Sequence, residues 1–300
     1  MFHYILLAIS LFAGLAYGLC RKYGMEKYIF CPRDTYLFNV ISGTVTTVLI
    51  AVMMAIRGEF SQMPSFYTVL LGTVFGIVTV LSAIVNMKAL GIGPMSYTSV
   101  ICSCSMIIPS LFGLFRGESL SLIQDIGIVM MLLCMILSVG GKKDERAANR
   151  LWFFLCLLAF FLVGSIGIMQ QIHQTSPYKS ELDAFLLIAF LISSAYALIC
   201  FLFCRRQETA KPVRLSSCKP FFFLALLTGA GVAACNVINL YLSGVMPAAV
   251  FFPVVNGGGL ILSALSGIIL FRETFSAKRW TGLAIGTCAI LLLCLEKILF

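Results

Sequence analysis

Asn256 is followed by Gly257-Gly258-Gly259 and stands three residues after Pro253, all inside one apolar run. Proline removes a backbone donor and glycine weakens a helix, so this stretch predicts local unwinding that offers bare carbonyls and amides to a polar solute. The competing reading is that the glycines let a neighbouring helix approach closely. Asn86, Asn236 and Asn239 lie in two further apolar runs, where a carboxamide both donates and accepts hydrogen bonds or fastens one helix to another. Asn236 and Asn239, three residues apart, share a helical face. Tyr97, Ser99, Ser103 and Tyr17 complete the candidate lining. These side chains can hold a small-molecule substrate by hydrogen bonding, and they carry no bond-breaking chemistry.

Catalytic spacings are absent from the sequence: there is no His-Glu-x-x-His, no Gly-x-Ser-x-Gly and no carboxylate pair within a run. No Walker motif offers ATP drive. Of the twelve cysteines, most lie inside apolar runs, and His3 and His173 are the only histidines, so the thiols read as small packing residues and no metal or cofactor is expected. Gln170, Gln171 and His173 close the sixth run, where a solvated helix end is expected and proton coupling through His173 is the sharper alternative. Lys88 is placed to snorkel from a span end. Glu118, Asp125, Asp183 and Glu273 all fall at run ends or in loops. Efflux of cationic drugs generally wants a midplane carboxylate, so it ranks below metabolite transport.

The elements that must position these residues are set by composition. Hydrophobic residues make up 60% of the 300 and charged residues 11%, against about 25% in soluble chains, so the solvent of this chain is lipid. The net charge of +9 is dispersed in short segments between apolar runs, which argues against a nucleic-acid partner. The runs are 4–20, 35–56, 66–89, 95–115, 123–141, 151–172, 184–204, 220–242, 247–271 and 280–297. A helix needs about 20 apolar residues to cross the hydrocarbon, so this is an all-α integral membrane protein with ten transmembrane helices. The first run lacks a basic segment before it and an Ala-x-Ala site after it, which makes it a span rather than a signal peptide. The multi-pass pattern fits a plasma (inner) membrane protein. Gly14-xxx-Gly18, Gly72-xxx-Gly76 and Gly282-xxx-Gly286 suit close helix contacts, within one chain or across a homodimer.

A charged linker at 142–150 divides the chain into halves 1–141 and 151–300 that share landmarks in the same order. Asn86, Gly91 and Pro94 recur at identical spacing as Asn239, Gly244 and Pro247. Leu114-Phe115-Arg116-Gly117-Glu118 matches Leu270-Phe271-Arg272-Glu273, and a glycine follows nine residues later in both, Gly127 and Gly282. Five spans per half make two inverted five-helix repeats.

These landmarks resemble the drug/metabolite transporter superfamily, specifically its EamA-type ten-helix members, over about residues 4–297. The second copy lacks the glycine before Glu273 and holds two more residues between Pro247 and Glu273 than separate Pro94 from Glu118, so an irregular ninth span is expected. The resemblance implies a cavity lined by the first, third, fourth, sixth, eighth and ninth spans. It also implies a secondary transporter for a small polar metabolite, since members move amino acids, sugars, nucleotide sugars, drugs and other solutes. The alternatives are multidrug efflux by the same fold, or a non-transporting receptor or assembly subunit, which the short loops disfavour. Seventeen of the 21 lysines and arginines follow odd-numbered spans, which places those loops in the cytoplasm and both termini outside, opposite to the usual family arrangement.

Overall fold

The computed structural model describes residues 2–28, 32–58, 63–92, 101–102, 104–117, 121–138, 150–207, 218–271 and 277–299. Every regular element among them is helical: α1 (Phe2–Lys27), α2 (Pro32–Ile56), α3 (Phe66–Ile92), α4 (Ile107–Phe115), α5 (Leu122–Ser138), α6 (Arg150–Gln174), α7 (Leu182–Gln207), α8 (Cys218–Val245), α9 (Ala248–Phe271) and α10 (Ala277–Leu299). Short 3₁₀ turns, Cys104–Met106 and Lys179–Glu181, precede α4 and α7. Six stretches are long and apolar enough to cross a membrane: Phe2–Arg21, Arg33–Ile56, Phe66–Asn86, Arg150–Gln174, Lys179–Cys204 and Lys219–Val245. They fit a multi-pass membrane protein, and large apolar side chains such as Phe153, Phe154 and Phe161 point outward from α6.

Several helices overrun the apolar runs. α1 continues past residue 20 to Lys27, whose ammonium donates to Tyr23 Oη at 2.8 Å and rests over the Tyr23 ring, an exposed i,i+4 pair suited to an interface. In the fourth run the tight turn at Cys104–Met106 leads into α4, and Pro109 supplies a reason. Its missing N–H leaves the Ser105 carbonyl without an i+4 donor, and a 3₁₀ turn tightens the chain there. Two residues past the end of α4, Gly117 has a φ of +89°, which explains the glycine of Phe-Arg-Gly-Glu. Glu118 and the counterpart Arg272-Glu273 lie outside the described residues.

The ninth span corrects two expectations. α9 runs unbroken from Ala248 through Pro253 and the three glycines to Phe271, so neither local unwinding nor irregularity is present. Gly257 presses against Met131 of α5, and a Cβ there would collide with the Met131 thioether. Close helix approach therefore accounts for Gly257, and an intact helix keeps its carbonyls within the ladder.

The chain forms two compact units that each draw on both sequence halves: Met1–Val80 with His173–Tyr241, and Leu81–Ile172 with Leu242–Phe300. In the first, α2 lies along α7, Phe75 meets Phe185 edge-on at 5.1 Å, and Phe38 meets Phe221 at 5.6 Å. In the second, α5 lies along α10, and α9 packs on α4, α5 and α10. Buried Ala89, Trp152 and Cys156 form one apolar cluster there, and Cys134 with Ile261 another.

Two glycine contacts in the first unit have the same form. A Cβ on Gly229 of α8 would lie 2.5 Å from the Ser42 carbonyl oxygen and 2.8 Å from Val45 Cβ of α2. A Cβ on Gly76 of α3 would lie 2.5 Å from the Ala189 carbonyl oxygen and 3.1 Å from Ile192 Cβ of α7. Thr46 Oγ1 donates to Gly229 O at 2.9 Å, and Ser193 Oγ donates to Gly76 O at 3.1 Å. Ser42, Val45 and Thr46 have the spacing of Ala189, Ile192 and Ser193, and each glycine stands ten residues before its asparagine, Asn86 or Asn239.

Candidate functional site

Ser10, Gly14, Tyr17 and Arg21 lie on one stripe of α1, with Gly24 a turn further on. The opposing stripe of α8 is fixed by contact. Ser10 Oγ donates to Asn239 Oδ1 at 2.5 Å and lies 3.3 Å from Cys235 Sγ, and Asn239 Nδ2 donates to the same sulfur at 3.4 Å. Gly14 faces Cys235, the Tyr17 side chain covers Gly231, and Gly24 meets Leu224. Small residues at 14 and 231 allow the approach, and Ser10, Cys235 and Asn239 close a polar knot within it.

Asn239 thus accepts from Ser10 across the α1–α8 seam, as interhelical fastening does, and donates to Cys235 within its own helix. Asn236, one residue on from Cys235, is half-buried and donates from Nδ2 to the Val232 carbonyl of its own helix at 2.9 Å. Its carboxamide oxygen has no partner among the described residues. Tyr17, Asn236 and Asn239 are the sequence candidates gathered in the first unit.

Asn86, Asn256, Gly257 and Gly258 belong to the second unit. Asn86 is half-buried near the end of α3, three residues before the buried Ala89. Asn256 Nδ2 donates to Phe252 O at 3.0 Å, a bond within α9 that leaves Oδ1 available for another donor. Gly258 is buried, while nothing lies within 4 Å of a Cβ built on Gly259. Tyr97, Ser99 and Ser103 lie outside the described residues. Lys88 is exposed, as a snorkelling side chain requires.

The end of α6 overturns the expectation of a solvated terminus. Gln170, Gln171, His173 and Gln174 are all buried, His173 completely. Gln171 Nε2 donates to Pro109 O at 2.8 Å, and the Pro109 ring sits against Gly167. In the first unit the His173 ring stacks on Phe185 at 4.4 Å, its Nε2 is 3.4 Å from Thr68 Oγ1, and its Nδ1 is 3.1 Å from Gln174 Nε2. Ser65 donates from both N and Oγ to Glu181 Oε2, at 2.9 and 2.7 Å, and its Oγ also accepts from Thr68 N. Arg57 Nη1 donates to Asp183 Oδ2 at 2.7 Å; Asp183 is 1% exposed and Arg57 about half.

This polar cluster was not predicted. The readable signals were Ser65-x-x-Thr68 as a helix start and a lone base, Arg57, after the second run opposite acids Glu181 and Asp183 before the seventh. Among the described residues no group of three or more His, Cys, Asp or Glu is arranged to hold a metal ion.

No protein-family profile and no curated protein sequence matches the chain. Twenty-nine solved chains are similar to it in fold. One crystal structure superposes with a TM-score of 0.74, covering 99% of this chain and 98% of that one, at 13% identity. At that identity the likeness is one of fold, and it extends over both sequence halves.

Proposed function

We propose that this chain is a secondary transporter of a small polar metabolite, built as two inverted five-helix repeats of the EamA type and working by alternating access. The reciprocal glycine contact carries the reading. Gly229 and Thr46 join span eight to span two, while Gly76 and Ser193 join span three to span seven, with the same donor, acceptor and nearest atoms. Exchanging the halves of the sequence turns one contact into the other, which is what a pseudo-two-fold axis relating the halves requires.

Pairing of equivalent spans supports it further: α2 lies on α7, α4 on α9 and α5 on α10, each five spans from its partner. Repeats of an odd number of spans must enter the bilayer with opposite orientation, and a carrier with such repeats alternates by rocking one arrangement into its mirror-topology counterpart. Asn236 in the first unit and Asn256 in the second each spend only the amide donor on their own helix, which leaves a carboxamide oxygen of the kind a polar solute uses.

The test is uptake by proteoliposomes holding the purified chain, with amino acids, sugars, carboxylates and phosphorylated solutes supplied in turn. Saturable, counterflow-sensitive flux of one class is expected. Absence of flux for every class, in vesicles where the protein is folded and correctly inserted, counts against a carrier.

A further inference from the structure

The α1–α8 seam holds a cation that its neighbours do not neutralise. Arg21 occupies the stripe of α1 defined by Ser10, Gly14, Tyr17 and Gly24, four residues after Tyr17 and three before Gly24. The partner stripe of α8 runs Asn239, Cys235, Gly231 and Leu224, and Thr228 completes it between Gly231 and Leu224. The register set by Tyr17 on Gly231 and Gly24 on Leu224 therefore puts Thr228 level with Arg21.

Arg21 is half-buried, and among the described residues no carboxylate lies within ion-pair distance of it. Lys27 shows the contrasting case on the same helix: it is exposed and lies on Tyr23. The Thr228 hydroxyl is buried and has no hydrogen-bond partner, on a residue 4% exposed. The Tyr17 phenol stands in the electrostatic field of the Arg21 guanidinium. An uncompensated guanidinium level with an unmade hydroxyl bond, with a phenol one turn away along the seam, is costly unless something fills the place.

We propose that Arg21, Thr228 and Tyr17 form an anion-binding subsite, so that the transported solute carries a carboxylate or a phosphate. This rests on the carrier reading given above. The planar guanidinium offers a fork of donors that fits two oxygens of either group, and the two hydroxyls donate to the remaining lone pairs. The amide oxygen of Asn236, two turns along α8 from Thr228, is an acceptor suited to a donor elsewhere on the same solute.

The same anionic chemistry exists in a lipid headgroup, so the experiment separates the two sources. The full chain, purified free of anionic lipid, is heated with inorganic phosphate, succinate, glucose or putrescine at matched ionic strength. It is also heated in vesicles of phosphatidylcholine with and without phosphatidylglycerol. Phosphate or succinate is expected to raise the unfolding midpoint saturably, with glucose and putrescine inert. Arg21→Lys and Thr228→Val should each raise the half-saturating concentration about tenfold, and Arg21→Gln should abolish the shift. Anion shifts that survive all three variants, or stabilisation by phosphatidylglycerol alone, overturn the subsite. Saturable flux of a neutral or cationic solute that is untouched by Arg21→Gln overturns it too while leaving the carrier intact. Arginine-dependent anion binding without flux of any solute keeps the subsite and removes the carrier.

Discussion

Thr46 Oγ1 donates to the Gly229 carbonyl at 2.9 Å where α2 and α8 come so close that a methyl group on Gly229 would strike the Ser42 carbonyl oxygen. Backbone cannot retreat as a flexible side chain can, so overpacking here is resisted by two helices at once. Gly229→Ala is expected to cost about 1–3 kcal/mol. Gly76→Ala should cost a similar amount, because its Cβ meets the Ala189 oxygen at the same 2.5 Å. Thermal or denaturant unfolding of the purified variants measures both. Gly259→Ala, with open space around it, should sit within about 0.5 kcal/mol of wild type. Unequal losses at 76 and 229 would count against the symmetry proposed for the two contacts.

The Arg57–Asp183 pair predicts an order of effects. Asp183 is buried and Arg57 about half exposed, so removing the arginine strands a carboxylate away from water, whereas removing the acid releases a cation that can reach solvent. Arg57→Gln should therefore destabilise more than Asp183→Asn, by about 1–2 kcal/mol. The double variant should lie nearer to Asp183→Asn than to the sum of the singles. A double-mutant cycle by unfolding reads this directly, and additive losses would mean the two groups do not sense each other.

The asparagines separate fastening from solute contact. Asn239 ties α8 to Ser10 of α1, while among the described residues Asn256 bonds along its own helix. Asn239→Ala is expected to lose about 0.5–1.5 kcal/mol of stability, whatever it does to transport. Asn256→Ala should leave the unfolding midpoint within about 1 °C of wild type and, if its free oxygen meets the solute, raise the apparent KM of uptake several-fold. An unfolding loss at 256 equal to that at 239 would assign both to packing.

The helices were legible because hydrocarbon thickness makes a span visible as a run of fixed length, and α2, α3, α7 and α8 follow such runs closely. Gly72-xxx-Gly76 marked a close helix contact without naming α7 as its partner. Burial of Gln171 and His173 was not legible. Polar residues at the end of an apolar run look the same whether water or another helix meets them, and Pro109 and Thr68 are far away in sequence. Unwinding at Pro253 was misjudged for a related reason: a proline and three glycines weaken a helix in isolation, but Met131 packed on Gly257 rewards the intact one.

Gln171 yields the last prediction. Its amide meets the Pro109 carbonyl at 2.8 Å with both residues buried, and Pro109 follows a 3₁₀ turn that already leaves the local ladder incomplete. Gln171→Met keeps the length of the side chain and removes the donor, so the Pro109 carbonyl loses this buried bond at a cost of about 1–2 kcal/mol. Gln171→Glu should be worse, because it replaces a donor with an acceptor facing another acceptor. Pro109→Ala returns an N–H that serves the Ser105 carbonyl and leaves the residue-109 carbonyl as Gln171's acceptor, so Gln171→Met should cost about the same in that background, which unfolding of the double variant checks. If Gln171→Met proved silent, the bond would contribute nothing and the join between α4 and α6 would rest on Gly164 and Gly167 packing alone.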